Sequence, residues 1–150
     1  MTTATDVRRF VLHRAADPAA LLRAAVRRTR PGGLFAVVDV FADADPLVAE
    51  ESNRLERLRD RGHRRTLTFG EIARLVEDSG ATIEGVSTRD RPVGLATWLE
   101  RAPSGARLEI GRRIDDELGG GPLTGLHPFR DDDGSVVLVR HRVTVVAWHP

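Results

Sequence analysis

The chain has 150 residues, 41% of them apolar, enough for one domain with its own core and too few for two of ordinary size. All 23 basic residues are arginine, and 22 acidic residues balance them to a net charge of +1, which argues against a dedicated nucleic-acid binder. Without cysteine there is neither a disulfide nor a thiolate metal site, and no apolar run approaches a signal core or the ~20 residues that cross a bilayer, so a cytoplasmic protein is expected.

Residues 8–13, "RRFVLH", predict a short strand ending at His13. A helix follows: Asp17 can cap it, Pro18 suits its first turn, and Leu21, Leu22, Ala25 and Val26 share one face. It must stop at Arg30, because the residue before Pro31 is pushed out of the helical region. Gly32 and Gly33 then turn the chain into "LFAVVDVF", apolar on both faces apart from Asp39, as a strand inside a covered sheet reads. Asp45-Pro46 opens a second helix that runs to about Asp60, and Thr68 with Glu71 forms the capping box of a third that stops at Gly80. "ATIEGVST" (81–88) predicts a strand, residues 94–101 and 104–118 two helices, and "GSVVLVRHRVTVVAW" (134–148) a long strand behind the turn "DDDG". Such alternation implies an α/β sheet of about four strands with flanking helices, in one domain covering 1–150.

"RFVLHRAADP", "AAVRRTRPGGLFAVVDV", "NRLERLRDRGHRRTLTFGEIARLVEDSGATIEGV" and "GLHPFRDDDGSVVLVRHRVTVVAWHP" resemble, in this order, the fourth, fifth and sixth strands and the closing strand of class I S-adenosylmethionine-dependent methyltransferases. The likeness is to the small-molecule branch that includes ubiquinone and menaquinone methyltransferases. It implies a truncated Rossmann-like sheet whose last strand is antiparallel, and S-adenosylmethionine as the family's cofactor. In the family the cofactor lies on a glycine-rich turn after the first strand, with an acid after the second holding the ribose; neither element is present here, where "GGLF" precedes a strand. The expected function is methyl transfer in small-molecule metabolism completed by a partner or missing half, with the isolated chain not binding the cofactor. Two alternatives stay open: a cyclase or isomerase independent of the cofactor, and a non-catalytic pseudo-methyltransferase that binds a partner.

Ligands of open α/β sheets bind beyond the carboxyl ends of the parallel strands, which directs attention to His13, Arg14, Asp39 and Asp43. Asp39 interrupts an apolar strand and needs a partner or a cavity, while His13 could act as a base or line the cofactor cleft. In "NRLERLRDRGHRR" (53–65), Asp60 is expected to raise the pKa of His63 and orient its ring, making Asp39, Asp60 and His63 the catalytic candidates. Arg59 and Arg65 would bind a carboxylate or phenolate, with Asn53 and Trp98 lining the pocket. The same charges could equally form a solvated helix face held by i,i+3 and i,i+4 pairs. On the catalytic reading, Asp39→Asn and His63→Ala would abolish turnover with little change in melting temperature. The histidines match no metal-ligand spacing, so no metal is expected. An uncovered "RFVLH" edge would favour a homodimer or a partner chain there.

Overall fold

The computed structural model describes residues 6–9 and 11–150. Five strands, β1 (Asp6–Arg9), β2 (Leu34–Val40), β3 (Thr82–Gly94), β4 (Phe129–Arg130) and β5 (Val136–Trp148), form one sheet in the order β1-β2-β5-β3, with β4 paired to β5 off that path. β1 runs parallel to β2, whereas β5 is antiparallel to both β2 and β3. The closing strand is therefore inserted antiparallel between its neighbours, as expected, and β4 brings the predicted four strands to five.

Among the described residues four helices of two turns or more and one single turn join these strands: α1 (Pro18–Arg28), α2 (Pro46–Arg59), α3 (Phe69–Asp78), the one-turn α4 (Leu95–Trp98) and α5 (Ser104–Leu118). Their starts follow from side-chain caps. Asp17 accepts from Ala20 N–H, Asp45 from Leu47 and Val48, and Thr68 and Glu71 form the reciprocal box. Two apolar clusters hold the layers together. In the first, Leu22 and Val26 of α1 and Ile72 and Val76 of α3 pack on Phe35 and Val37 of β2 and on Val143, Val145 and Ala147 of β5. The second joins Leu55 of α2, Trp98 of α4 and Ile110 and Ile114 of α5 to Leu138. Leu138 has the opposite parity to Val143 and Val145, so this cluster lies on the other side of β5, beyond the last β2 partner, Arg142.

Two elements differ from expectation. The first strand ends at Arg9, and Leu12–Arg14 form a 3₁₀ turn; Phe10, counted in the predicted strand and edge, lies outside the described residues. Long-range partners replace the ladder there, for Leu12 N–H donates to Asp39 and the His13 carbonyl accepts from Arg64 and Arg65 N–H. The second difference is β3, which continues through "RDRPVG" to Gly94 because β5 offers a partner over that whole length. Pro92 is tolerated since β3 is the outer strand on that side.

The Pro-Gly-Gly turn ties the end of α1 to the end of β5. Gly32 has φ +74° and donates its N–H to His149 O at 2.7 Å, and the His149 ring bonds Thr29 O at 2.7 Å. A Cβ on Gly33 would stand 2.8 Å from Arg30 O. Gly33→Ala is expected to lower unfolding free energy by roughly 1–3 kcal/mol and Gly32→Ala by about 1 kcal/mol. Gly111→Ala, inside α5 where a Cβ meets nothing within 4 Å, should raise it by ~0.5–1 kcal/mol. Urea titration measures all three, and equal effects at the three positions would contradict this account.

Candidate functional site

The carboxyl end of β2 delivers Asp39 into a fully buried position. Its Oδ2 accepts from Leu12 N–H and its Oδ1 from Val40 N–H, each at 2.8 Å, and Oδ1 also meets His13 Nδ1 at 2.8 Å. A carboxylate with both oxygens already accepting from backbone calls on the ring for a proton, so His13 donates through Nδ1 and keeps Nε2 as its acceptor. A second imidazole stacks on it: the His63 ring centroid is 5.7 Å away, at 27°. Asn53 holds His63 from the core side. Its Nδ2 donates to Ala49 O and Thr66 O and its Oδ1 accepts from Thr66 N–H, which fixes the amide and makes His63 Nε2 the donor to Oδ1 at 2.8 Å.

These rings face a cavity of 190 Å³ lined by His13, Val40, Glu56, Arg59, Asp60, His63, Trp98 and Arg140. Glu56 is buried between two guanidiniums, with Oε2 3.0 Å from Arg59 and Oε1 in an ion pair with Arg140. Burial by itself would raise the Glu56 carboxyl, yet Arg140 and Arg59 outweigh it and hold it below the usual range. Arg59 also lies 4.6 Å over the Trp98 ring. Through Arg59 and Asp60 the cavity adjoins an arginine-lined cleft that contains Arg14, Arg61 and Arg101.

Placement of the expected residues is uneven. His13, Arg59, Asp60, His63 and Trp98 line one cavity, whereas Asp39 and Asn53 stand behind it as the supports of the two histidines. Arg65 is outside the lining and pairs with Glu71 at 2.6 Å. The expected Asp60–His63 pair is not formed between side chains: Asp60 caps Gly62 N–H and pairs with Arg14, and only its backbone carbonyl meets His63 N–H. The direction of the His63 shift is also reversed. Burial, with His13, Arg140 and Arg57 adding to it against Glu56, pushes its imidazole down from 6.5 to about 4. Arg140 was not anticipated, although "RHR" within a strand places Arg140 and Arg142 on one face by its period of two.

Because Asp39 and His63 are buried and bonded, their replacement acts on stability too, contrary to the expected unchanged melting temperature. The unfolded chain takes up the His63 proton with an ordinary pKa of 6.5, and the folded chain only near 4. Stability from this group is thus present above about pH 6.5 and lost as pH falls through the window from 6.5 to 4. At pH 5 the loss is about 2 kcal/mol relative to pH 7. His63→Gln, which can still donate to Asn53, is expected to flatten this slope while leaving the loss below pH 4.5 that comes from paired carboxylates such as Glu56 and Asp60. Urea unfolding at pH 5 and pH 7 reads it, and an unchanged slope would show that His63 is not held neutral.

No family model matches the chain. In sequence it is 28% identical over 95 residues to the uncharacterized protein YafE of Escherichia coli K12, and 27% identical over 101 residues to the uncharacterized methyltransferase YcgJ of Bacillus subtilis 168. The matched segments make up 46% and 40% of those relatives, less than half of either. Among solved structures, BH2331 of Bacillus halodurans C-125, described as a methyltransferase, superposes on 96% of the chain with a TM-score of 0.81 at 19% identity. YcgJ of Bacillus subtilis superposes on 95% with a TM-score of 0.80 at 20% identity, and the chain spans 68% and 62% of these two structures. The chain has the Rossmann-like fold of these two methyltransferase structures over about two thirds of their length, and in sequence it is similar to the uncharacterized methyltransferase YcgJ.

Proposed function

We propose that the chain supplies the acceptor side of methyl transfer to a small organic molecule, with His13 as the general base. The observation that carries this reading is the His13–Asp39 pair at the carboxyl end of β2, with the imidazole on the cavity and the carboxylate buried behind it. Held as the Nδ1–H tautomer, the ring takes a proton from a hydroxyl or acidic carbon at Nε2, and the buried carboxylate stabilises the imidazolium that results. His63, neutral down to about pH 4, adds no competing charge beside it. Asp60 and Arg59 close the cavity as positioning groups.

The cofactor of the family would supply the electrophilic methyl group. The described residues do not fit it as a whole: the turns leading into α1 and α2 present Asp17, Asp43 and Asp45, and none of their residues is a glycine. The chain's own contribution is therefore to acceptor binding and proton removal, and the cofactor half comes from a partner or a further segment joined along β1. That strand lies at the edge of the sheet, with Val7 43% exposed. A homodimer through this edge is the alternative arrangement. Light scattering is expected to show association at micromolar concentration, and a cooperatively folded monomer would remove the edge from the proposal.

A chimaera with the first part of YcgJ placed ahead of this chain tests the chemistry. The chain alone should show no micromolar binding of S-adenosylmethionine by calorimetry, and the chimaera should bind it. With a panel of phenols, hydroxy acids and amines, the chimaera should release S-adenosylhomocysteine. His13→Ala should slow that release by ~10²–10⁴ without weakening cofactor binding. Full activity of His13→Ala removes the base, and tight cofactor binding by the chain alone removes the need for a completing half.

A further inference from the structure

Four arginines meet across two strands. In the β3–β5 register Arg91 stands directly opposite Arg140, and Arg89 opposite Arg142. Like charges so placed repel each other unless a counter-charge sits between them. Glu56 serves Arg140, but the same carboxylate also serves Arg59, so one negative charge answers two guanidiniums. Among the described residues the Arg91 side chain has neither an ion pair nor a hydrogen bond.

Arg91, Arg140 and Arg142 form the cationic part of a second cavity, of 370 Å³, whose other walls are Val40, Pro92, Val93 and Trp98. Val40, Trp98 and Arg140 also line the histidine cavity, so the two spaces adjoin. An apolar chamber with an arginine rim suits a ligand that is apolar over most of its surface and anionic at one end. Arg91 offers an uncommitted planar fork, which matches the two oxygens of a carboxylate.

We propose that this cavity holds a carboxylate-bearing acceptor, its anionic end on Arg91 and Arg140 and its apolar body against Val40, Val93 and Trp98, directed toward His13. The assignment rests on the acceptor-side reading above and names the substrate class for it. It differs from the sequence expectation, in which Arg59 and Arg65 were the anion binders: Arg65 pairs with Glu71 away from the cavities, and Arg59 lines the histidine cavity and not this one.

Three matched probes test it on the full chain: 4-ethylbenzoate, the neutral 4-ethylbenzamide and 4-ethylphenyl phosphate. By calorimetry and thermal shift, the benzoate is expected to bind at least tenfold more tightly than the amide. Arg91→Gln, at an exposed position, should weaken benzoate binding tenfold or more and leave the ligand-free melting temperature and the amide affinity unchanged. Arg27→Gln, on the exposed side of α1, should change none of these. Equal affinity for benzoate and amide, no binding of the benzoate, tenfold preference for the phosphate, or an Arg91→Gln chain that binds the benzoate like the wild type would each overturn the proposal. The failures of the two readings are distinguishable. Benzoate binding through Arg91 in a chimaera without methyl transfer sinks the methyltransferase reading alone, and methyl transfer to a neutral acceptor, indifferent to Arg91→Gln, sinks the carboxylate site alone.

Discussion

A carboxylate out of reach of water must be satisfied by the protein that buries it, and Asp39 is satisfied from three directions. Each of those bonds fixes something else. The bond from Leu12 N–H stops the first strand from continuing and bends the chain into the 3₁₀ turn that carries His13. The turned carbonyl of His13 then accepts from Arg64 and Arg65, which docks the segment after α2 and sets His63 against His13. Removing the carboxylate would leave buried N–H groups without partners, at about 1–3 kcal/mol each, so the site and the local fold depend on the same atoms.

Burial also separates the roles of the two histidines. His63 is tied to Asn53, an amide whose other bonds are all to backbone, and its burial depresses its pKa. His13 is tied through Nδ1 to a carboxylate, which leaves Nε2 free of that bond on the cavity side. Two imidazoles of one sequence type thus differ in what they can do because one has an amide behind it and the other an acid.

Caps and turns were legible in the sequence because their physics is local. Asp17, Asp45, Thr68 with Glu71, and Gly32 each act within a few residues, and each element begins or turns where those residues indicate. The strand pattern of 34–40 and 136–148 was equally plain, since β-branched runs mark buried strands. What was hidden is non-local. Asp39 reaches 27 residues back to Leu12, and Asp60 was read as the partner of a near neighbour, His63, while its side chain turned to Arg14, 46 residues away. The extension of β3 over a polar, proline-containing stretch follows from the length of β5, a fact about the partner strand.

The charge of the cleft shows why the whole-chain balance of +1 is a poor guide to chemistry. The three adjoining cavities are lined by seven arginines against Glu56 and Asp60, both already paired with some of those arginines. Low-dielectric walls such as Trp98, Val40 and Val93 let that excess act over a longer distance than it would in water. Positive charge at Arg140 and Arg57 helps keep His63 unprotonated, and the same charge favours the ionised form of any acidic group brought into the cleft. Arginine is suited to such a cleft because it holds its charge at any pH at which the fold survives and presents a planar fork of donors.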